Sequence, residues 1–190
     1  MDGMTYGRHA AGFTMTELIV TMSIAAILLA IGVPSFKYVT VSNRISTEVN
    51  ALLGDLQYAR SQAIKEGLYV TVCASSNATS ANPTCSGGNA WEGGWIVFLD
   101  SNNDQQVDNN EAVIRAQPAF ASTDTFQPAG ALNFTAITFN RAGYASTNNN
   151  GTVTLELHDS TNTSAWTRCL AISPVGMATT EKYQQTAACL

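Results

Sequence analysis

The pattern of apolar and polar positions changes twice along this chain. From Leu18 to Phe36 no residue is charged and most are apolar. That run is long enough to cross a bilayer as a helix, which takes about 20 residues. From Lys37 to about Gly67 the apolar residues thin to a stripe. Val41, Ile45, Val49, Leu52, Leu56, Ala59 and Ala63 recur at intervals of three and four, the spacing of one apolar helix face. Arg44, Glu48, Asp55, Lys65 and Glu66 are placed off the stripe, and Arg60 reads as a solvated helix charge. Gly54 weakens this helix by about 1 kcal/mol relative to alanine. Gly67 is a natural stop just past its end. One helix is therefore expected from about residue 14 to residue 66.

After Gly67 the helical period vanishes. Apolar runs punctuated by Gly, Asn and Pro read as strands at 68–74, 94–100, 111–120, 131–140, 152–159 and 168–174. Asn148, Asn149, Asn150 and Gly151 read as a hairpin turn. Trp91 and Trp95, in "WEGGWIVF", read as core or sheet-edge packing. The expected class is α+β: a long N-terminal helix, half of it apolar all round, packed on an antiparallel β-rich body.

Charge and cysteine usage narrow the function. The formal net charge is −5 with 9 Lys+Arg. From Gly67 onward four basic residues (Arg115, Arg141, Arg168, Lys182) face nine acidic ones. A nucleic-acid binder usually shows the opposite balance. Cys73, Cys85, Cys169 and Cys189 form no CxxC pair and lie near neither histidine, so a zinc site is a poor reading. Two disulfides in an oxidising compartment fit better. Cys73–Cys85 and Cys169–Cys189 each close a short loop and are the expected pairing, one of three connectivities; buried free thiols are the alternative. His9 and His158 offer no catalytic triad, and no glycine-rich phosphate loop is present. Nothing points to an enzyme.

The apolar run raises its own question, because Glu17 stands at its mouth. A secretory signal peptide needs small residues at a cleavage site after the run, and "GVPSFKYV" fits poorly. A plain anchor leaves a carboxylate at the membrane edge without a partner. "GFTMTELIVTMSIAAILLAIGVPSF" instead resembles the class III signal of type IV pilins and type II secretion pseudopilins. The resemblance implies cleavage by a prepilin peptidase after Gly12, N-methylation of Phe13, and a mid-helix kink at Pro34. It also implies that Glu17 pairs with the freed amine of a neighbouring subunit, which offsets the cost of burying both charges. The implied organisation is a leader at 1–12, an assembly helix at 13–36, an amphipathic helix at 37–66 and a periplasmic body at 67–190. The basic leader, chiefly Arg8, places the N-terminus in the cytoplasm and the body across the bacterial inner membrane.

Two further strings, "LLGDLQYARSQAIKEG" and "WEGGWIVF", are similar to the GspH/FimT branch of that superfamily. The resemblance implies a minor pilin of a type IV pilus, or a minor pseudopilin of a type II secretion system. Its partners would be other pilins or pseudopilins, the prepilin peptidase and an inner-membrane assembly platform. DNA-capturing members carry a Gly-Arg-x-Arg motif where this chain has Gly176, Met177 and Thr179. Without those arginines the phosphate contacts that drive non-specific DNA affinity are missing, so DNA capture is the weaker expectation.

One local motif remains. "DSNNDQQVDNNE" places Asp100, Asn102, Asp104, Asp108 and Glu111 at positions 1, 3, 5, 9 and 12 of a loop, with the Gln106 carbonyl at position 7. That is the oxygen-ligand spacing of an EF-hand, which suits Ca²⁺. Gln105 stands where the glycine of the sharp turn belongs, and the flanks read as strands. A solvated turn between two strands is the other reading. Ca²⁺ is the one cofactor the sequence suggests.

Overall fold

The computed structural model describes residues 12–130, 132–147, 149, 151–182 and 189. A single helix, α1, spans Met15–Glu66. The chain divides into two compact units, Met1–Thr40 and Val41–Leu190.

In the first unit every described residue is exposed. The apolar stretch of α1 reaches a mean hydropathy of 2.3 over 18 residues, long and apolar enough to cross a membrane. Two of its hydroxyls are satisfied by the helix itself. Thr21 donates to the Leu18 carbonyl at 2.9 Å and Ser23 to that of Ile19 at 2.8 Å. Such back-bonding lets hydroxyls sit in apolar surroundings without an unmet donor. Pro34 lies within α1, and the helix continues through it.

In the second unit the rest of α1 lays its stripe on two antiparallel sheets. The strands are β1 Val70–Ala74, β2 Trp95–Leu99, β3 Val113–Gln117, β4 Thr125–Pro128, β5 Ala136–Phe139, β6 Ala145–Ser146, β7 Val153–His158, β8 Arg168–Ile172 and β9 Ala178–Lys182. One sheet has the order β3-β2-β1-β5-β6, the other β4-β7-β8-β9. Ile45, Val49, Leu52, Leu56, Ala59 and Ala63 of α1 share one core with Val70, Val72, Trp91, Trp95, Ile137, Leu155, Leu157 and Leu170. Both tryptophans are fully buried.

The first sheet is covered on its far face as well. Cys73, Ile96, Phe98 and Ala136 point away from α1 and pack with Ala78, Cys85, Val107 and Val113. Cys73 and Cys85 are disulfide-bonded, with Cα atoms 5.6 Å apart. The bond fastens the 75–85 loop over that face, and β1 is buried along its whole length for that reason. Cys169 is bonded to Cys189, again with a Cα separation of 5.6 Å. No described cysteine is free.

The structure departs from the sequence-based expectation in the later strands. Residues 131–140 and 111–120 give shorter strands than their apolar runs suggest. β4, β6 and β9 were not anticipated, because each is short, polar or broken by proline. The Asn148–Gly151 string is not a hairpin. Residues 148 and 150 lie outside the described residues, but β6 before them and β7 after them belong to different sheets. The tight turn lies earlier. The Asn140 side chain accepts hydrogen bonds from the Ala142 and Tyr144 N–H groups, and Gly143 takes φ +80°. An Asn that bonds its own backbone two residues on builds this turn.

Candidate functional site

The start of α1 collects the residues that the signal-like motif singles out. Gly12 has open space on the side a Cβ would occupy, and Phe13 is 79% exposed. Five residues on from Gly12, Glu17 holds a local role that sequence reasoning missed. The Thr14 hydroxyl and N–H both donate to Glu17 Oε2, at 3.3 and 3.4 Å, and the Glu17 N–H donates back to Thr14 Oγ1 at 3.3 Å. This is a capping box, which satisfies the orphan donors at a helix start. Its signal, Thr-x-x-Glu ahead of an apolar run, was legible. The carboxylate is thus held at the first turn, where the helix dipole favours a negative charge. These hydrogen bonds are long, and Glu17 is exposed, so its outer lone pairs face outward.

Two charged residues of the α1 stripe region, Asp55 and Arg60, turn inward. Asp55 is 9% exposed. It accepts a hydrogen bond from Trp95 Nε1 at 2.9 Å and another from Arg115 Nη1 at 2.7 Å. The Arg115 guanidinium also lies 3.7 Å from the centroid of the Tyr58 ring, a cation–π contact. Placing Asp55 off the apolar stripe was wrong. It follows Leu52 by three and precedes Ala59 by four, so it sits on the buried face and required a partner there.

Arg60 is likewise not a solvated charge. Its Nε donates to the Gly143 carbonyl at 3.0 Å and its Nη2 to that of Val175 at 3.2 Å. One side chain on α1 thus ties the β5–β6 turn of one sheet to the β8–β9 turn of the other. Two glycines let those turns meet. A Cβ on Gly176 would stand 2.0 Å from the Gly143 carbonyl oxygen. On the first sheet's flank, Glu92 does similar joining: its carboxylate accepts from the β4 N–H of Phe126 at 3.0 Å.

The acidic loop does not support a calcium centre. Asp100 points into the protein, where it accepts from Thr71 Oγ1 at 2.6 Å and from the N–H groups of Asp104 and Gln105 at 3.1 Å each. Asp104 accepts from the Gln106 N–H at 2.9 Å. Glu111 accepts from the N–H groups of Ser101 and Asp108, at 2.7 and 3.2 Å. The Asn102 amide donates to both Asp104 and Asp108. Asp100, Asn102, Asp104 and Glu111 thus cap the loop's own backbone, and Asp108 is engaged by the Asn102 amide. Among the described residues no three His, Cys, Asp or Glu side chains are grouped to hold a metal ion. The sharp turn forms without glycine, with Gln105 at φ +63°. Excess Ca²⁺ is expected to leave the melting temperature of the protein and of Asp104→Ala unchanged; a shift present only with Asp104 intact would restore the metal reading.

The strip where a DNA-binding member would carry arginines has no cation before Lys182. Met177 is 57% exposed and Val175 51%. His158 is a half-buried strand residue held between Thr167 at 3.1 Å and Glu156 at 3.2 Å.

A family model described as "Type II transport protein GspH" matches residues 48–176. A second, the prokaryotic N-terminal methylation motif, matches residues 7–33. No curated protein matches the chain. Among solved structures, the Pseudomonas aeruginosa PAO1 type IV minor pilin FimU matches in two crystal forms. The first is 21% identical, covers 77% of this chain and 92% of that one, and has a TM-score of 0.56. The second is 20% identical, covers 75% and 95%, and has a TM-score of 0.53. At that identity the likeness shows the fold, a long helix followed by antiparallel sheets. With a family model over about two-thirds of its length and the methylation motif ahead of it, the chain belongs to the GspH family.

Proposed function

We propose that the protein is a minor pilin, a structural subunit of a type IV pilus. It is made as a precursor, cleaved between Gly12 and Phe13 and methylated on the new Phe13 amine. Residues 13–36 then hold it in the inner membrane with the body in the periplasm, until assembly draws it into the filament. The chemistry is self-assembly. Each new amine is a cation in an apolar setting, and Glu17 of an adjacent subunit neutralises it. The observation that carries this reading is the placement of Glu17, an exposed carboxylate at the first turn of a helix otherwise free of charge to Phe36. Its only described partner is Thr14 of the same turn.

Mass spectrometry of the mature N-terminus tests the processing step. The expected product begins with N-methyl-Phe13; an intact leader in cells with active prepilin peptidase overturns the reading. Glu17→Ala is expected to be processed and membrane-bound yet to fall at least tenfold in sheared filaments. Wild-type incorporation of that variant would remove the ion-pair mechanism.

The GspH family model favours a second reading, a minor pseudopilin of a type II secretion system, with the same processing and the same helix. A chromosomal deletion separates the two. Loss of surface pili with normal secretion supports the pilus, and the reverse supports the secretion machine. DNA capture is not favoured, because Met177 and Thr179 carry no charge to meet phosphate.

A further inference from the structure

In the second unit, six large apolar side chains are exposed among the described residues: Ile64, Leu68, Tyr69, Tyr144, Val175 and Met177. Scattered singly, such residues are ordinary. These are not scattered. They stand on four segments that meet where α1 stops: its last turns, the link into β1, the β5–β6 turn and the β8–β9 turn. Arg60 ties both turns to α1. The Ala145 N–H donates to the Pro174 carbonyl at 3.0 Å and joins the turns directly. Val70, next to Tyr69, pairs with Phe139 at the end of β5. Between α1 and the β8–β9 turn runs a groove of about 410 Å³, lined by Arg60, Ile64 and Met177 among others.

The same end is charged unevenly. The Asp100 N–H donates to the Tyr69 carbonyl at 3.0 Å, so the acidic 100–111 loop borders the apolar residues on the β2 side. Asp104 and Asp108 have no cation paired with them among the described residues. On the β5 side, Arg141 shares a turn with Tyr144 and has no carboxylate paired with it among the described residues. Lys65 and Glu66 neutralise each other at 3.0 Å. An apolar centre, acid on one flank and a cation on the other make an interface core with a rim that fixes orientation.

We propose that this end of the body seats a neighbouring filament subunit of different sequence. Its contact face is apolar at the centre, bears a carboxylate over Arg141 and bears none over the 100–111 loop. The proposal rests on the filament reading above. A second copy of this chain does not meet these requirements. Two copies turned end to end would match charge to charge, but their α1 helices would run in opposite directions, although residues 13–36 anchor both in one membrane. Stacked head to tail, the neighbouring body offers no other exposed large apolar side chain among its described residues. The apolar 18–36 stretch of that neighbour has no charge to meet Arg141.

Photocrosslinking of the full chain in filament-assembling cells tests this. A benzophenone side chain in place of Tyr144 is expected to capture a second protein that carries its own N-terminal methylation motif, identified by mass spectrometry. The same probe at Asn50, exposed on α1 and about 24 Å along the helix from Glu66, is the reference. Arg141→Glu is expected to weaken the Tyr144 crosslink about tenfold, the scale of one important interface residue. Lys182→Glu, at the far end of β9, is expected to leave it unchanged. A Tyr144 crosslink no stronger than that from Asn50 overturns the proposal. So does capture of a second copy of this chain, of lipid alone, or of a protein without the motif. An Arg141→Glu crosslink no weaker than that of Lys182→Glu overturns it too. Failure of the filament reading shows separately, as a mature N-terminus that keeps its leader, whatever the probe captures.

Discussion

Gly176→Ala is expected to destabilise the body by about 4 kcal/mol, in the upper tail of single substitutions. Two costs add. Gly176 sits at φ +77°, where a side chain costs roughly 1–2 kcal/mol. The second cost is steric and larger. The new Cβ would lie 2.0 Å from the Gly143 carbonyl oxygen and 3.2 Å from its carbon. That neighbour is backbone, in a turn that is itself left-handed at Gly143, so it has little room to retreat. The oxygen it strikes is also the one that accepts from Arg60 Nε at 3.0 Å. Relief of the clash therefore breaks the tie between α1 and the two sheets. Urea unfolding of the disulfide-intact protein measures the loss. Gly67→Ala is the control, since Gly67 has φ +69° but open space around it, and it should lose only about 1–2 kcal/mol. Equal losses at the two positions would show that the steric contact is not decisive.

The second large effect is at Asp55. Asp55→Ala is expected to cost about 3 kcal/mol, because it removes the acceptor and leaves the donors in place. Trp95 is fully buried, and its indole N–H, now 2.9 Å from Asp55 Oδ2, would have no acceptor in an apolar core. Arg115 would lose its carboxylate at 2.7 Å and keep only the Tyr58 face. Asp55→Asn retains one oxygen and should recover about half of the loss. The contrast is the Lys65–Glu66 pair, whose side chains are 70% and 42% exposed. Breaking that pair should leave stability nearly unchanged, since exposed ion pairs contribute little. Thermal unfolding of Asp55→Ala and Glu66→Ala side by side checks the ranking. Near-equal melting temperatures would mean that the buried network contributes no more than a surface pair.

Both predictions rest on contacts between residues far apart in the sequence. The apolar stripe of α1 was legible residue by residue: Ile45, Val49, Leu52, Leu56, Ala59 and Ala63 are all buried. Arg60, on the same helix, was misread because its partners lie 83 and 115 residues away, at Gly143 and Val175. Asp55 was misread because its spacing put it on the buried face while its chemistry argued for the surface. The conflict itself was the signal of a buried partner. The acidic loop shows the opposite failure. Its residue spacing fits a calcium ligand set, yet spacing along a chain does not say which way carboxylates point, and here they turn onto their own backbone.

What the sequence by itself determined is whatever depends on neighbours along the chain. That covers the extent of α1, its apolar first half, the face it buries, and the match of residues 7–33 to the N-terminal methylation motif. Periodicity and covalent order carry this information without reference to distant residues. Only the tertiary structure decided which strands share a sheet, where the polar groups of α1 find partners, and that Gly143 and Gly176 must both lack side chains. A hydrogen bond or a steric contact is set by distances of a few ångströms between groups far apart in sequence, and those distances exist only once the two sheets have closed around the helix.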